Sequence, residues 1–230
     1  MLLWVPAFIA YEKRHWPRMT VKITKAREPR WPAFVAMVAD ALIHFALPPR
    51  LSLGPRWLVF AVIFVLLIPI SFSYRRGRSD ITRVLTFIAL GVITLALIGS
   101  LGLLIQGLPS HQDPPRTLLI SATLLWLTNV LVFALWYWKL DAGGPLGRDE
   151  PGGANASAFF FPQMMRHSQA DQNWSPVFLD YLFLAFNTST AFSPTDTAVL
   201  ARWAKALMML QAIISLLIIA LLAARAVNVL

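Results

Sequence analysis

Long apolar blocks, separated by short polar or charged stretches, are the main pattern along this chain. Six such blocks lie at residues 31–47, 57–74, 84–108, 117–138, 176–192 and 201–230. An α-helix needs about 20 mainly apolar residues to cross a bilayer, so blocks of this kind predict membrane helices. The pattern therefore predicts an all-α fold, a polytopic transmembrane bundle of about six helices with the fifth segment short or partly re-entrant.

Two stretches lie outside the apolar blocks. Residues 1–30 include seven basic side chains after position 12, which predicts a basic N-terminal segment at the membrane surface. Residues 31–230 form a single predicted transmembrane domain, interrupted by a Gly- and Pro-rich loop at 139–175 in which the Phe-rich stretch 159–165 is expected to dock on the membrane surface. With six spans, 15 Lys and Arg residues fall on the side of the N-terminus and 5 on the other. The positive-inside rule then predicts a cytoplasmic N-terminus, C-terminus and loop 139–175.

Composition supports the membrane prediction and excludes several classes of protein. Hydrophobic residues make up 57% of the chain and charged residues 13%, against about 25% charged in soluble domains. The net charge of +9 is explained by basic loops, so no nucleic-acid partner is expected. There is no cysteine, which excludes disulfides and thiol chemistry. No catalytic motif is present, so neither enzyme activity nor a cofactor is expected.

The fifth segment carries the strongest functional signal. The apolar run 177–186 is too short to span a bilayer, and it leads directly into a hydroxyl-rich stretch. Polar backbone at membrane depth is tolerated only where it is buried in protein or lines a watery cavity. The side chains predicted to line an ion pathway are Asn187, Thr188, Ser189, Thr190, Ser193 and Asp196. The alternative for the run 187–190 is hydrogen bonding between helices.

Four other polar residues are candidates for a proton or ion relay: Asp40, His44, Asp180 and Gln211. Asp40 and His44 are four residues apart and therefore share one helix face. Their alternative role is a pair hydrogen-bonded near a helix end. Asp180 could instead cap its helix, and Gln211 could make a contact between helices.

The C-terminal 55 residues resemble the pore module of two-transmembrane potassium channels. That family has an outer helix, a short pore helix, a hydroxyl-rich filter and an inner helix. Thr188, Ser189 and Thr190 match its threonine positions, and Pro194 and Arg202 match its flanking proline and arginine. The family's Gly-Tyr-Gly is replaced by residues 191–194, Ala-Phe-Ser-Pro, so the resemblance implies a pore loop with a different filter.

A second resemblance covers most of the chain. The stretches LWYWKLDAGGP (135–145), FFPQM (160–164), AFNTSTAFSPTD (185–196) and RWAKALMMLQ (202–211) are similar to a group of uncharacterised bacterial inner-membrane proteins. This likeness implies about six helices and a location in the bacterial plasma membrane, and it implies no activity.

Three functions are consistent with these features. The first is an oligomeric, pore-loop-like cation channel, whose partners would be the lipid bilayer, further copies of the chain and an inorganic cation. The second is a structural or accessory membrane protein without transport activity. The third is a small proton-coupled secondary transporter that uses Asp40 and His44.

Overall fold

The computed structural model describes residues 28–75, 79–107, 114–149, 156–165, 174–190 and 196–227. Most of the predicted N-terminal basic segment, residues 1–27, lies outside this part of the chain. The helices are α1 (Trp31–Ala46), α2 (Trp57–Arg75), α3 (Ser79–Gly107), α4 (Pro115–Leu140), α5 (Gly144–Asp149), α6 (Phe178–Thr190) and α7 (Arg202–Val227). A minimal antiparallel ladder joins β1 (Phe159–Phe160) to β2 (Ala198–Val199).

The predicted helical character is confirmed, but six full spans are not. In the described part of the chain, three helices are long and apolar enough to cross a membrane: α3, α4 and α7. The apolar helices α1 and α2 are shorter. With 13 residues, α6 is about 20 Å long, well short of the roughly 30 Å hydrocarbon core.

Prolines set several of the helix boundaries. Pro32 lies in the first turn of α1, and Pro115 opens α4 after Pro114 in an extended conformation. A proline is favourable there because its missing N–H would have no partner in the first turn. Pro48 follows the end of α1 and Pro49 opens a single 3₁₀ turn, so the chain reverses between α1 and α2.

α4 is the central helix of the bundle and contacts α1, α3, α6 and α7. It is buried on most sides; Leu125, Val132 and Phe133, for example, have no exposed surface. The outer helices present large apolar side chains outward, such as Leu95 at 68% exposure and Phe64 at 57%. An apolar exterior around an apolar core is what a lipid environment requires.

One end of the bundle gathers most of the helix termini, and we call it the Asp141 end. α1 begins there, since Arg30 is 3.5 Å from Asp149. α4 finishes there, while α6 and α7 begin there: Trp138 packs on Phe178, and Trp203 on Phe159, with ring centroids 6.0 Å apart in each pair. The end of α2 and the start of α3 line a common cavity with Lys139 at this end.

The stretch predicted as the loop 139–175 is more ordered than its composition suggested. Phe159 and Phe161 lie in the core with 0% and 4% exposure, whereas docking on the membrane surface was expected for this Phe-rich stretch. Phe159 packs on Tyr137 and Tyr181, with ring centroids 5.2 and 6.2 Å apart. Aromatic stacking and the β1–β2 ladder therefore fix this part of the loop to the Asp141 end.

Candidate functional site

α6 enters the bundle part way, and the chain then returns to the end from which it entered. Near the start of α6, the Tyr181 hydroxyl donates to Asp141 Oδ2 at 2.5 Å. Near its end, Ser189 Oγ accepts from Asn129 Nδ2 at 3.5 Å, about 18 Å deeper along α4. By Ala198 the chain is again at the Asp141 end, where β2 pairs with β1. The fifth segment was predicted to be short or partly re-entrant; α6 is short, with 13 residues, and the chain is back at the Asp141 end by Ala198.

A buried set of polar side chains holds the end of α6 between α4 and α7. We call it the polar core cluster: Asn129, Tyr137, Ser189, Gln211 and Ser215, each 3% exposed or less. Gln211 Nε2 donates to Ser189 Oγ and to the Ala185 carbonyl, both at 2.7 Å. Gln211 Oε1 accepts from the Tyr137 hydroxyl at 2.5 Å. Both amide protons and the amide oxygen of Gln211 are therefore satisfied.

The remaining members of the polar core cluster bond mainly to backbone. Ser215 Oγ donates to the Ser189 carbonyl at 2.6 Å, and Asn129 Nδ2 donates to the Gln211 carbonyl at 3.2 Å. Both carbonyls belong to neighbouring helices, so these bonds fix the depth of α6 relative to α4 and α7. Gln211 therefore makes the contact between helices that was predicted as its alternative role.

The polar run 187–190 is helical, and the helix period divides it into two faces. Ser189 points into the bundle, whereas Thr190 is exposed and Asn187 is half-buried. The hydroxyls of Thr188 and Thr190 donate to carbonyls one turn back, those of Leu184 and Phe186, at 2.8 and 2.9 Å. The four residues therefore do not act as one surface: Ser189 is buried, Thr190 is exposed, and Asn187 and Thr188 are half-buried.

The two acidic candidates near α6 lie toward the Asp141 end. Asp180 Oδ2 accepts from the backbone N–H of Val177 at 2.7 Å, which is the predicted capping arrangement. Asp196 is exposed just before β2. Ser193, the remaining member of the predicted ion pathway, lies outside the described residues. Asp180 and Asp196 are thus separated along the bundle from the end of α6.

Asp40 and His44 form a second, separate site on α1. Asp40 is fully buried, His44 is 4% exposed, and both lie on the face of α1 that packs into the bundle. Neither carboxylate oxygen of Asp40 has a hydrogen-bond partner among the described residues, and the same holds for His44 Nε2. His44 Nδ1 lies 3.1 Å from the Asp40 carbonyl. Because a carbonyl can only accept, Nδ1 carries the proton in this contact, and in the neutral ring Nε2 then has the lone pair.

The burial of Asp40 without partners is unfavourable, because burying an unpaired charge costs several kcal/mol. The predicted sharing of one face is confirmed. The alternative role was a pair hydrogen-bonded near the helix end, and the bond from the His44 ring to the Asp40 carbonyl does lie in the last turn of α1.

Sequence reasoning missed a set of buried hydrogen bonds and an ion pair at the Asp141 end, around Asp141 and Arg148. Asp141 is fully buried and accepts three bonds, from the Ala158 N–H and from the hydroxyls of Ser157 and Tyr181, at 2.5 to 2.6 Å. Arg148, also fully buried, donates to Glu28 Oε2 at 2.9 Å. The signal was the charged sequence KLDAGGPLGRD next to a predicted span, but composition could not distinguish a solvated loop from a buried ion pair.

The described residues hold no group of three or more His, Asp or Glu side chains that could bind a metal ion. No family model, curated protein or solved structure matches this chain.

Proposed function

We propose that this protein is an oligomeric membrane channel for cations, with a pore loop built from α6 and the chain that follows it. The observation that supports the proposal is the path of the chain: the end of α6 lies beside Asn129, half-way along α4, and the chain is back at the Asp141 end by Ala198. An outer helix, a half-length helix, a returning chain and an inner helix then follow in the order α4, α6, return, α7.

The electrostatics of α6 favour a cation. The last carbonyls of a helix carry partial negative charge, equivalent to about half an elementary charge. α6 places this end at mid-depth, where Asn187 and Thr190 add side-chain oxygens on its outer face. Because Thr190 is exposed in the single chain, a pathway along this face needs neighbouring copies to enclose it.

The polar core cluster supports the pore loop without lining it. Its members are buried and bonded to one another or to neighbouring backbone, so they hold α6 at a fixed depth. A half-length helix has too little apolar surface to anchor itself in a bilayer, and the bonds from Gln211 and Ser215 compensate for this.

Ion flux into liposomes tests the proposal. Purified protein is reconstituted with K⁺, Na⁺ or Cl⁻ gradients, and wild type is compared with the Asn187→Ala/Thr190→Val double variant. We expect cation flux in wild type and a loss of at least tenfold in the double variant. The matched control is Thr123→Val, because Thr123 is an exposed threonine on α4 that also bonds one turn back, to Leu119.

Unchanged flux in the double variant would contradict the assignment of Asn187 and Thr190 to the pathway. Absence of flux for every ion, with a monodisperse oligomer, would contradict the channel proposal and favour the accessory role.

A second candidate function is proton-coupled transport, favoured by the unpartnered carboxyl group of Asp40. An ionisable residue inside a membrane helix most often marks a proton or ion pathway. Asp40 would bind and release the proton, and His44 Nε2, one turn away, would accept it.

The test is proton uptake into liposomes followed with a pH-sensitive dye. Asp40→Asn keeps the size of the side chain and should abolish uptake, while Thr123→Val should not; uptake that survives in Asp40→Asn would contradict this candidate.

A further inference from the structure

A cavity of about 580 Å³ opens between the start of α1, the end of α2, the start of α3 and the end of α4. Its floor and walls are largely apolar, with Phe34, Met37, Ile70 and Leu146 among them. Three basic side chains also line it: Arg30, Arg83 and Lys139. This volume is within the range typical of small-molecule sites.

The charge of the cavity is positive. Lys139 is half-buried, and the positive charges of Arg30, Arg83 and Arg148 all repel its ammonium group. The acidic lining residue is Asp80, and Asp149 pairs with Arg30 from beside the cavity, so three positive charges stand against two negative ones. Arg30 Nη2 forms an ion pair with Asp149 Oδ2 at 3.5 Å. Arg83 is exposed, and its guanidinium lies over the Phe87 ring. A bound anion stabilises like charges such as those of Arg30 and Lys139, which are both half-buried.

The cavity lies at the depth expected for lipid head groups. Trp31 and Trp138 line it, and Trp31 is 68% exposed. Tryptophan is enriched where the apolar core of a membrane meets its polar surface. The basic groups therefore lie at the interface, and the apolar walls continue toward the hydrocarbon region.

We propose that this cavity binds an anionic phospholipid. Its phosphate would lie among Arg83, Lys139 and Arg30, and an acyl chain would lie along Phe34 and Ile70. Charge complementarity selects an anion, because arginine and lysine are the side chains that bind phosphate. The apolar wall next to these charges selects a phosphate that carries acyl chains over a free one. The proposal does not depend on ion conduction or on proton transport.

Native mass spectrometry of delipidated, full-length protein measures this preference directly. Phosphatidylglycerol and phosphatidylcholine are added in equal amounts, and the bound lipid is counted for wild type and for Arg83→Gln/Lys139→Gln. We expect wild type to prefer phosphatidylglycerol. The preference should fall about fivefold per charge removed, because each basic residue near the surface contributes about 1 kcal/mol.

The control removes the same charge at the opposite end of the bundle, in Arg50→Gln/Arg56→Gln, and should keep the preference. Lys139→Arg, which keeps the charge, should keep it as well. If the double glutamine variant aggregates, Leu146→Glu tests the proposal instead. Leu146 is an exposed residue of the cavity wall and should tolerate substitution, and the new carboxylate should repel the anionic lipid. Equal binding of both lipids to wild type, or full binding in Leu146→Glu, overturns the proposal. Full displacement by soluble glycerol phosphate also overturns it, because the site would then recognise a free phosphate.

Discussion

At the scale of single residues, Gln211 has the largest number of interhelical bonds in the polar core cluster. It joins α7 to α6 through Ser189 and the Ala185 carbonyl, and to α4 through Tyr137. A buried side chain that satisfies all of its polar atoms stabilises a unique arrangement of helices, and removing it leaves several groups without partners.

We therefore expect Gln211→Leu to lower the free energy of unfolding by about 1–3 kcal/mol, because the Tyr137 and Ser189 hydroxyls lose a buried partner. Thermal unfolding of the detergent-solubilised protein measures this change. Thr190→Val serves as the control and should change stability by less than about 0.5 kcal/mol, since its hydroxyl is exposed and bonds within its own helix. Equal stability of the two variants would show that the cluster does not anchor α6.

Arg148 gives a second prediction at this scale. It is fully buried, pairs with Glu28 at 2.9 Å and donates to the Trp138 and Asp141 carbonyls. Arg148→Met should destabilise the protein by about 3–5 kcal/mol, because it leaves the Glu28 charge buried without its partner. The double variant Arg148→Met/Glu28→Gln should recover part of this loss, as measured by thermal unfolding. Failure to recover would mean that the backbone bonds of Arg148, rather than the ion pair, account for the effect.

At the scale of elements, α6 is the helix whose path decides the architecture. The chain leaves the Asp141 end along α6 and is back at the same end by β2, so α6 does not carry the chain to the opposite end of the bundle. Length alone allowed either a strained span or a half-length helix, and the pairing of β2 with β1 selects the half-length helix.

Cysteine labelling tests this path, and the absence of natural cysteines gives a clean background. Single cysteines replace Asp196, Leu146 and Arg56, and a membrane-impermeant maleimide is applied to one side of oriented vesicles. We expect positions 196 and 146 to label from one side and position 56 from the other. Labelling of position 196 from the side of position 56 would mean that α6 crosses the membrane.

At the scale of the whole molecule, the proposed pore loop predicts a topology other than six full spans. Both termini were predicted to be cytoplasmic, but α1 and α7 both begin at the Asp141 end, and α7 is about 39 Å long. The chain therefore leaves α7 at the opposite end. Moving Arg202 and Lys205 to the Asp141 side, and Arg225 to the other, changes the distribution of basic residues from 15 against 5 to 16 against 4. The positive-inside rule is thus satisfied better by this topology than by six full spans.

A reporter fused to Leu230 distinguishes the two topologies. Alkaline phosphatase is active outside the cytoplasm and green fluorescent protein is fluorescent inside it. At Leu230 we expect the phosphatase fusion to be active and the green fluorescent protein fusion to be dark. In the loop near Asp149 we expect the phosphatase fusion to be inactive and the green fluorescent protein fusion to be fluorescent. A fluorescent fusion at Leu230 would support six full spans and contradict a re-entrant α6.

The amino-acid sequence by itself determined the apolar blocks long enough to cross a membrane, the positions of most helices and the candidate polar residues, because apolar block length and charge depend on local composition. The boundaries of α1, α2 and α4 fall within two residues of the predicted ones for the same reason, while α3 starts five residues earlier than predicted.

Only the tertiary structure decided the path of α6, the burial of Phe159 and Arg148, and the division of residues 187–190 into an inner and an outer face. Among the residues that the structure describes, it also left Asp40 and His44 without partners from other side chains. These features depend on contacts between residues far apart in the chain. The sequence shows the same residue type whether a hydroxyl, a carboxylate or a phenylalanine ring faces lipid, a cavity or another helix. The packing partners alone determine which of these the group contacts.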